Sequence, residues 1–224
     1  MISTKNIKTT SEGGLPKLIQ PGNISAKILD LTLEPFKYVP ESYHIILSLE
    51  TEPIEGFEGF AIDKDNLSLG HHKGQIGKVK SAEYAYATAT TRTGIEINRD
   101  IEMLKFLKNL CTALGNKALK WLDDQDGKHN TIESLFEQFN IDQLYKDVFL
   151  NWCVAGKEYT NKNGYKAYEL FLPKYEKGKS AFSNQDKKPY ELMTFSESVH
   201  IKRKESKPVE SFGSDNDIDD SFVL

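Results

Sequence analysis

The longest helical period in the chain, Arg99 to Leu114, is inserted among stretches that alternate in twos, and that insertion limits the fold more than any other feature. Ile101, Leu104, Phe106, Leu107, Leu110, Cys111 and Leu114 recur at helical spacing. Asn98 or Asp100 can cap the start, and Gly115-Asn116 supplies a stop. Three strand-like runs precede the helix. Ile24 to Leu33 alternates, Tyr43 to Glu50 (YHIILSLE) ends at Pro53, and Lys78 to Thr90 (KVKSAEYAYATAT) carries Tyr84 and Tyr86 on one face, with Gly94 to Asn98 as an extension. Between them EGFEGF reads as a bent strand and Asp63 to Gly77 as a loop. Shorter helices are expected over Lys117 to Asp123 and Ile132 to Phe139. Two strands follow, Val148 to Ala155 and Tyr165 to Leu172, joined across Asn163-Gly164, a hairpin signal. After Lys174 only Leu192 to Ile201 reads as a short strand.

Three strands, helices, then two strands is the element order of an OB-fold, a small five-stranded barrel. The expectation is therefore a mainly β chain of α+β class with helices between strands 3 and 4. Residues 1–20 read as a flexible arm, 21–175 as the OB domain, 176–208 as a basic, partly ordered extension, and 209–224 as a disordered acidic tail. No stretch approaches the ~20 apolar residues of a membrane span, and Met1 to Gly14 has no signal-peptide core. A soluble, non-membrane chain is expected. Cys111 and Cys153 are far apart and predicted to be reduced core residues.

Charge is unevenly spread. The net charge is −4, with 29 basic and 33 acidic residues. The last sixteen residues hold five acids and no base, so the remainder has 29 basic against 33 − 5 = 28 acidic residues, or +1. Within it, Lys157 to Lys207 holds twelve Lys/Arg and seven Asp/Glu. A basic stretch followed by an acidic end reads either as a solvated surface beside a solubilising tail or as a pair of binding elements.

Single-strand binding needs flat aromatic faces on which bases stack and cations that follow the phosphates. The strands supply both residue types. Tyr84 and Tyr86 lie near Lys78, Lys80 and Arg92, and the hairpin interleaves Lys157, Tyr159, Tyr165 and Lys166. Trp152 is a further candidate, although its face is ambiguous in sequence. Aromatics are also enriched on strands for packing reasons alone, so core roles compete for each ring. In the tail, Asp215, Asp217, Asp219 and Asp220 precede Phe222, a pattern suited to a basic pocket with an apolar floor. The same acids can screen the chain's own basic groove.

Catalytic patterns are poor. His71-His72 would point to opposite faces of a strand. Asp63 and Asp65 form only a fragment of a calcium loop. Glu50, Glu52, Glu55 and Glu58 have no second ligand group at defined spacing, and there is no GxxxxGK[ST], GxSxG or HExxH. No enzyme activity, metal or cofactor is expected.

Several segments resemble the single-stranded-DNA-binding proteins of tailed bacteriophages, in particular the version carried by crAss-like phages. They are Leu33-Glu34-Pro35-Phe36, Glu50-Thr51-Glu52-Pro53-Ile54, Gly56-Phe57-Glu58-Gly59-Phe60 with Ile62-Asp63-Lys64-Asp65, Gly74-Gln75-Ile76-Gly77-Lys78-Val79-Lys80, and Gly156-Lys157-Glu158-Tyr159 through Gly164-Tyr165. The resemblance spans roughly residues 20–175. It implies an OB-fold, sequence-independent binding of single-stranded DNA in replication or recombination, and a tail that contacts polymerase, helicase or primase in the cytoplasm of an infected bacterium. The tail departs from the family, whose tails end on the aromatic residue: here Val223 and Leu224 follow Phe222. Homo-oligomer formation is compatible with this reading. Two others stay open: a β domain for protein interaction or virion assembly, and a metal-dependent nuclease using Glu50 to Glu58.

Overall fold

The computed structural model describes residues 18–36, 42–61, 70–84, 87–174, 176, 178–184 and 191–203. Five strands organise it: β1 (Gly22–Pro35), β2 (Tyr43–Thr51), β3 (Ile76–Tyr84), β4 (Phe149–Thr160) and β5 (Lys166–Phe171). β1 pairs antiparallel with β2, and β2 antiparallel with β3. β3 runs parallel to β5 through Val79 opposite Leu170 and Lys80 opposite Phe171. β5 returns antiparallel along β4, and β4 closes on β1 from Val154 opposite Gly22 to Phe149 opposite Lys27. Each strand thus has two neighbours, in the order β1-β2-β3-β5-β4 and back to β1. The chain is mixed α+β and mostly strand, with five strands in a hydrogen-bonded ring.

Alternation fills the ring. On β2, Ile45, Leu47 and Leu49 are fully buried, while His44, Ser48 and Glu50 are partly exposed. Burying each such aliphatic contributes roughly 1.5–3 kcal/mol. Two irregularities adjust the register. A bulge between Ile28 and Asp30 of β1 lets both Ile28 and Leu31 reach the core. Where β2 and β3 slip past one another, Ser81 Oγ accepts from the Ile45 N–H at 3.1 Å.

β4 is a special case. Its first half pairs with β1 and its second with β5. Strand β6 (Phe182–Asn184) pairs with Leu150 to Trp152 on the side β5 leaves open. Ile201–Lys202 runs parallel beside Gly156–Lys157 on the other. Trp152, Cys153, Val154, Ala155 and Gly156 are all buried. Burial pushes the Cys111 thiol up to about 12 and the Cys153 thiol up to about 11, so both are inert at neutral pH.

Between β3 and β4 lie α1 (Arg99–Leu114), α2 (Asn116–Asp124) and α3 (Ile132–Asp142). The α1 bounds agree with the sequence reading because local chemistry sets them. Asn98 Oδ1 accepts from the N–H groups of Asp100 and Ile101, and Gly115 ends the helix at φ +102°. Met103, Leu107, Leu110 and Cys111 face the core, whereas Ile101 and Leu104 are exposed. Asn140 Oδ1 of α3 accepts from the Leu31 N–H of β1 and from the Tyr145 hydroxyl. Arg99 lies over the Tyr43 ring and donates to Asp100. Burial would raise the Glu133 carboxyl, but hydrogen bonds from its own backbone, Tyr43 and Thr131, with the Arg99 charge, hold it below the usual range. These contacts tie α1, α3 and β2 together.

Several regions differ from the sequence reading: β4 runs on past Ala155 to Thr160, and strands form at Lys179–Ser180 and Phe182–Asn184, where long-range pairing and not local alternation places them. The run from Lys78 to Thr90 is not one strand: β3 ends at Tyr84, and Thr88–Thr90 pairs with Glu96–Asn98 as a separate hairpin. The bent strand in EGFEGF is confined to Phe60–Ala61, which pairs with His71–His72 from the expected loop. Residues 62–69 lie outside the described residues. The short strand expected within Leu192 to Ile201 is replaced by Glu191–Leu192, a one-turn helix α4 (Glu197–His200) and Ile201–Lys202.

Candidate nucleic-acid interface

Strand parity sorts the cations onto the outside of the ring. Val79, Leu170 and Val154 point to the core, so Lys78 and Lys80 of β3, Glu169 of β5, and Lys157 and Tyr159 of β4 point out. Lys157 lies opposite Glu169, and Tyr159 opposite Ala167. In the parallel β3–β5 pair, Lys78 and Glu169 each stand one residue before Val79 and Leu170. Three lysines therefore surround one carboxylate. Lys80 Nζ is 2.5 Å from Glu169 Oε1, and that hydrogen bond, with the Lys80 and Lys157 charges, holds the carboxyl below the usual range against the opposing effect of burial. The patch keeps an excess of positive charge. Lys202 Nζ sits 4.8 Å from the centre of the Phe171 ring on the neighbouring row.

The hairpin beyond this face is built by one side chain. Asn161 Oδ1 accepts from the N–H groups of Asn163 and Tyr165, and the backbones of Asn161 and Tyr165 bond at 2.8 Å. Gly164 adopts φ +81°, which an L side chain would resist. The loop exposes Lys162 and leaves Tyr165 70% and Tyr159 50% exposed. Lys166 projects on the face opposite to Tyr159, where its Nζ is 3.3 Å from Glu158 and Arg203 Nε is 3.8 Å from the same carboxylate.

The structure thus gathers Lys78, Lys80, Lys157 and Tyr159 on one outward face, with Tyr165 at its tip and Lys166 on the reverse side. Arg92 is exposed but sits on the separate Thr88–Asn98 hairpin. Tyr84 pairs with Tyr43 at the end of β3 and only its backbone is described; Tyr86 lies outside the described residues. Trp152 must be removed from the binding set. It is 0% exposed, its Nε1–H donates to the Ala26 carbonyl at 2.8 Å, and its ring packs 5.2 Å from that of Phe182. Its parity is that of Leu150 and Val154, which face the core, so no base can reach it. The tail residues Asp215, Asp217, Asp219, Asp220 and Phe222 also lie outside the described residues.

Sequence reasoning missed Lys162, Lys202 and Arg203. Lys162 could have been found, since it occupies the turn of a recognised hairpin. Nothing local marks the other two, because they reach β4 only through the long-range pairing of Ile201–Lys202.

Two of the four acids considered for a nuclease are engaged otherwise. Glu50 lies 3.6 Å from Lys27 and 3.3 Å from His72, and Glu52 accepts from Ser25 Oγ. Among the described residues no three His, Cys, Asp or Glu side chains come together as a metal site. His71 is exposed and His72 buried, on opposite faces as their adjacency required.

Comparison of this chain with protein-family models, with curated proteins and with solved structures finds no match.

Proposed function

We propose that the five-strand ring is an OB-type barrel and that the chain binds single-stranded DNA without sequence preference. The observation that carries the reading is the coincidence of exposed Tyr159 and Tyr165 with Lys78, Lys80 and Lys157 on β3, β4 and the β4–β5 hairpin. The order β1-β2-β3-β5-β4, with helices between β3 and β4, is consistent with an OB topology. OB barrels hold oligonucleotides on the strand 2–3 face and in the 1–2 and 4–5 loops, and the cationic, tyrosine-bearing elements here occupy two of those places.

The chemistry divides by residue type. Tyrosine rings stack on bases at about 1–3 kcal/mol per base, and every base offers such a face. Lysines neutralise phosphates and release counterions, which makes affinity fall steeply with salt. No covalent step is involved. The role that fits is protection of single strands in phage replication or recombination, in the host cytoplasm. Titration of labelled oligo-dT and a duplex of equal length tests it. Preference for the single strand, weakening steeply with salt, is the expected result; equal affinity for the duplex would sink the reading.

The tail has a place in this scheme. Ile201–Lys202 runs beside Gly156–Lys157, so the chain leaves the described residues next to the cationic hairpin. At about 3.3–3.6 Å per extended residue, the acids from Asp215 onward are within reach of that face. They would screen it until DNA displaces them, and then recruit polymerase, helicase or primase through Phe222. Deleting Asp215 to Leu224 should leave oligo-dT affinity equal or tighter while abolishing partner capture. Weaker DNA binding by the truncated chain would contradict the screen.

A further inference from the structure

The helical layer carries a second surface that single-strand binding does not use. α1 is apolar on two sides. Met103, Leu107 and Leu110 enter the core, but Ile101 is 54% and Leu104 42% exposed. They line an open cleft of about 680 Å³ between the three helices, whose remaining apolar lining is Leu119 and Leu122 of α2 and Ile132 and Leu135 of α3. The hairpin that leads into α1 adds exposed Ile95 and Ile97. Exposed aliphatic side chains around a concave apolar floor mark an interaction site more often than a solvated face.

The cleft has an electrical sense. Asp123 and Asp126 line its α2 end. α2 finishes on Asp123-Asp124 with no basic residue in its last turn, so these acids sit at the negative end of the helix dipole, where cations are favoured. Lys120 bonds Asp124 and its charge also acts on Asp123, while Arg99 takes up Asp100. Lys108 is the one lysine or arginine in the lining. The lip at the α2 end, with Asp123, Asp124 and Asp126 against Lys120 and Lys128, therefore keeps an excess of negative charge among the described residues. A local rule broken beside an open apolar floor is where function is expected.

We infer that this cleft docks an amphipathic helix of another protein, with apolar side chains on one face and Lys or Arg flanking them. Aliphatic anchors of such a helix would fill the floor between Leu104, Leu122 and Leu135, and its cations would meet Asp123 and Asp126. The acidic lip repels a nucleic-acid backbone, so this surface is distinct in kind from the lysine-bearing strand face.

The full chain can be titrated with a fluorescent Leu/Lys peptide of about four helical turns, its leucines on one face, and with the matching Leu/Glu peptide. The Lys peptide should bind, with the Glu peptide at least about tenfold weaker. The double substitution I101S/L104S should weaken the Lys peptide at least about tenfold, as loss of central anchors does. The charge reversal D123K/D126K, at exposed positions that the fold does not need, should invert the preference between the peptides. I101S/L104S, which changes no charge, should keep the wild-type affinity for oligo-dT. Failure of the wild type to bind the Lys peptide would overturn the inference. So would equal affinity for the two peptides, or undiminished Lys-peptide binding by both variants, which would place the contact elsewhere, for instance on the acidic C-terminal residues. If sedimentation instead shows that wild type self-associates and D123K/D126K does not, the occupant is a second copy and the inference as stated is wrong.

Discussion

Two hairpins in this chain are turned by the same five-residue loop and present different surfaces. In Asn161-Lys162-Asn163-Gly164-Tyr165 and in Thr91-Arg92-Thr93-Gly94-Ile95, the first and fifth backbones bond at 2.8 Å, and the glycine N–H returns to the first carbonyl. The first side chain also accepts from the fifth N–H in both. Both glycines adopt φ +81°, and both loops expose a cation at the second position. What differs is the support. One loop continues β4 and β5, which are paired from Ala155 to Thr160 inside the ring, and it ends in tyrosine. The other caps three pairs that join no other strand among the described residues, and it ends in isoleucine beside a helix with exposed aliphatics. Turn chemistry sets the bend, and the attachment and the fifth side chain decide which surface the bend serves.

The contrast can be broken at several depths. The largest effect should come from the strand that supports the tyrosine hairpin. Trp152→Ala should cost about 3–5 kcal/mol of stability in denaturant unfolding, by loss of the ring and the cavity left behind. Tyr159→Ala, on the same strand but outward, should stay within about 0.5 kcal/mol. Next, Tyr159→Ala and Tyr165→Ala should each weaken oligo-dT binding by about 1–3 kcal/mol, whereas Ile95→Ala should leave it unchanged. An equal loss at Ile95 would mean that both hairpins touch the strand. For the same reason the readout should be tyrosine-dependent affinity: Trp152 is buried and Trp121 is engaged with Asp142 and Phe139, so quenching of tryptophan is not expected.

The smallest effect concerns Glu169. Its carboxylate is held below the usual range mainly by the Lys80 hydrogen bond, so that pair stabilises the fold above the unfolded carboxyl value and ceases to do so as pH falls through the lower, folded one. The pair is partly exposed, so this contribution is well under about 1 kcal/mol. If the proposed DNA binding holds, phosphate would compete with Glu169 for Lys80. On that reading, protonating Glu169 should tighten oligo-dT binding a few-fold as pH falls through and below the ordinary carboxylate range. Glu169→Gln should already be tight at neutral pH and should lack that part of the pH response. Identical pH profiles for the two proteins would remove Glu169 from the interface.

How much could be read in advance follows the range of the interactions. α1 was legible with its Asn98 cap and Gly115 stop, because each is satisfied within a few residues. The Asn163-Gly164 turn was legible for the same reason. Trp152 was not, because β4 shows no alternation between Trp152 and Gly156: all five residues are buried there, whichever face they point to. The outward half of α1 was misleading in the opposite way. Ile101 and Leu104 belong to the helical period that predicts a core, and only the open cleft reveals that they are not paid into it. The lysine face needed the parallel β3–β5 register, which no local pattern encodes.

Closure of the ring also orders events in time. β1 gains its second partner only when Gly22 meets Val154, and β3 only when Val79 meets Leu170. At about 5–20 residues per second, a ribosome takes several seconds to pass from β3 to β4. Any sheet that β1, β2 and β3 form during that interval would have two unpaired edges and an apolar inner side without its lid, so a high expression rate would place such open edges side by side.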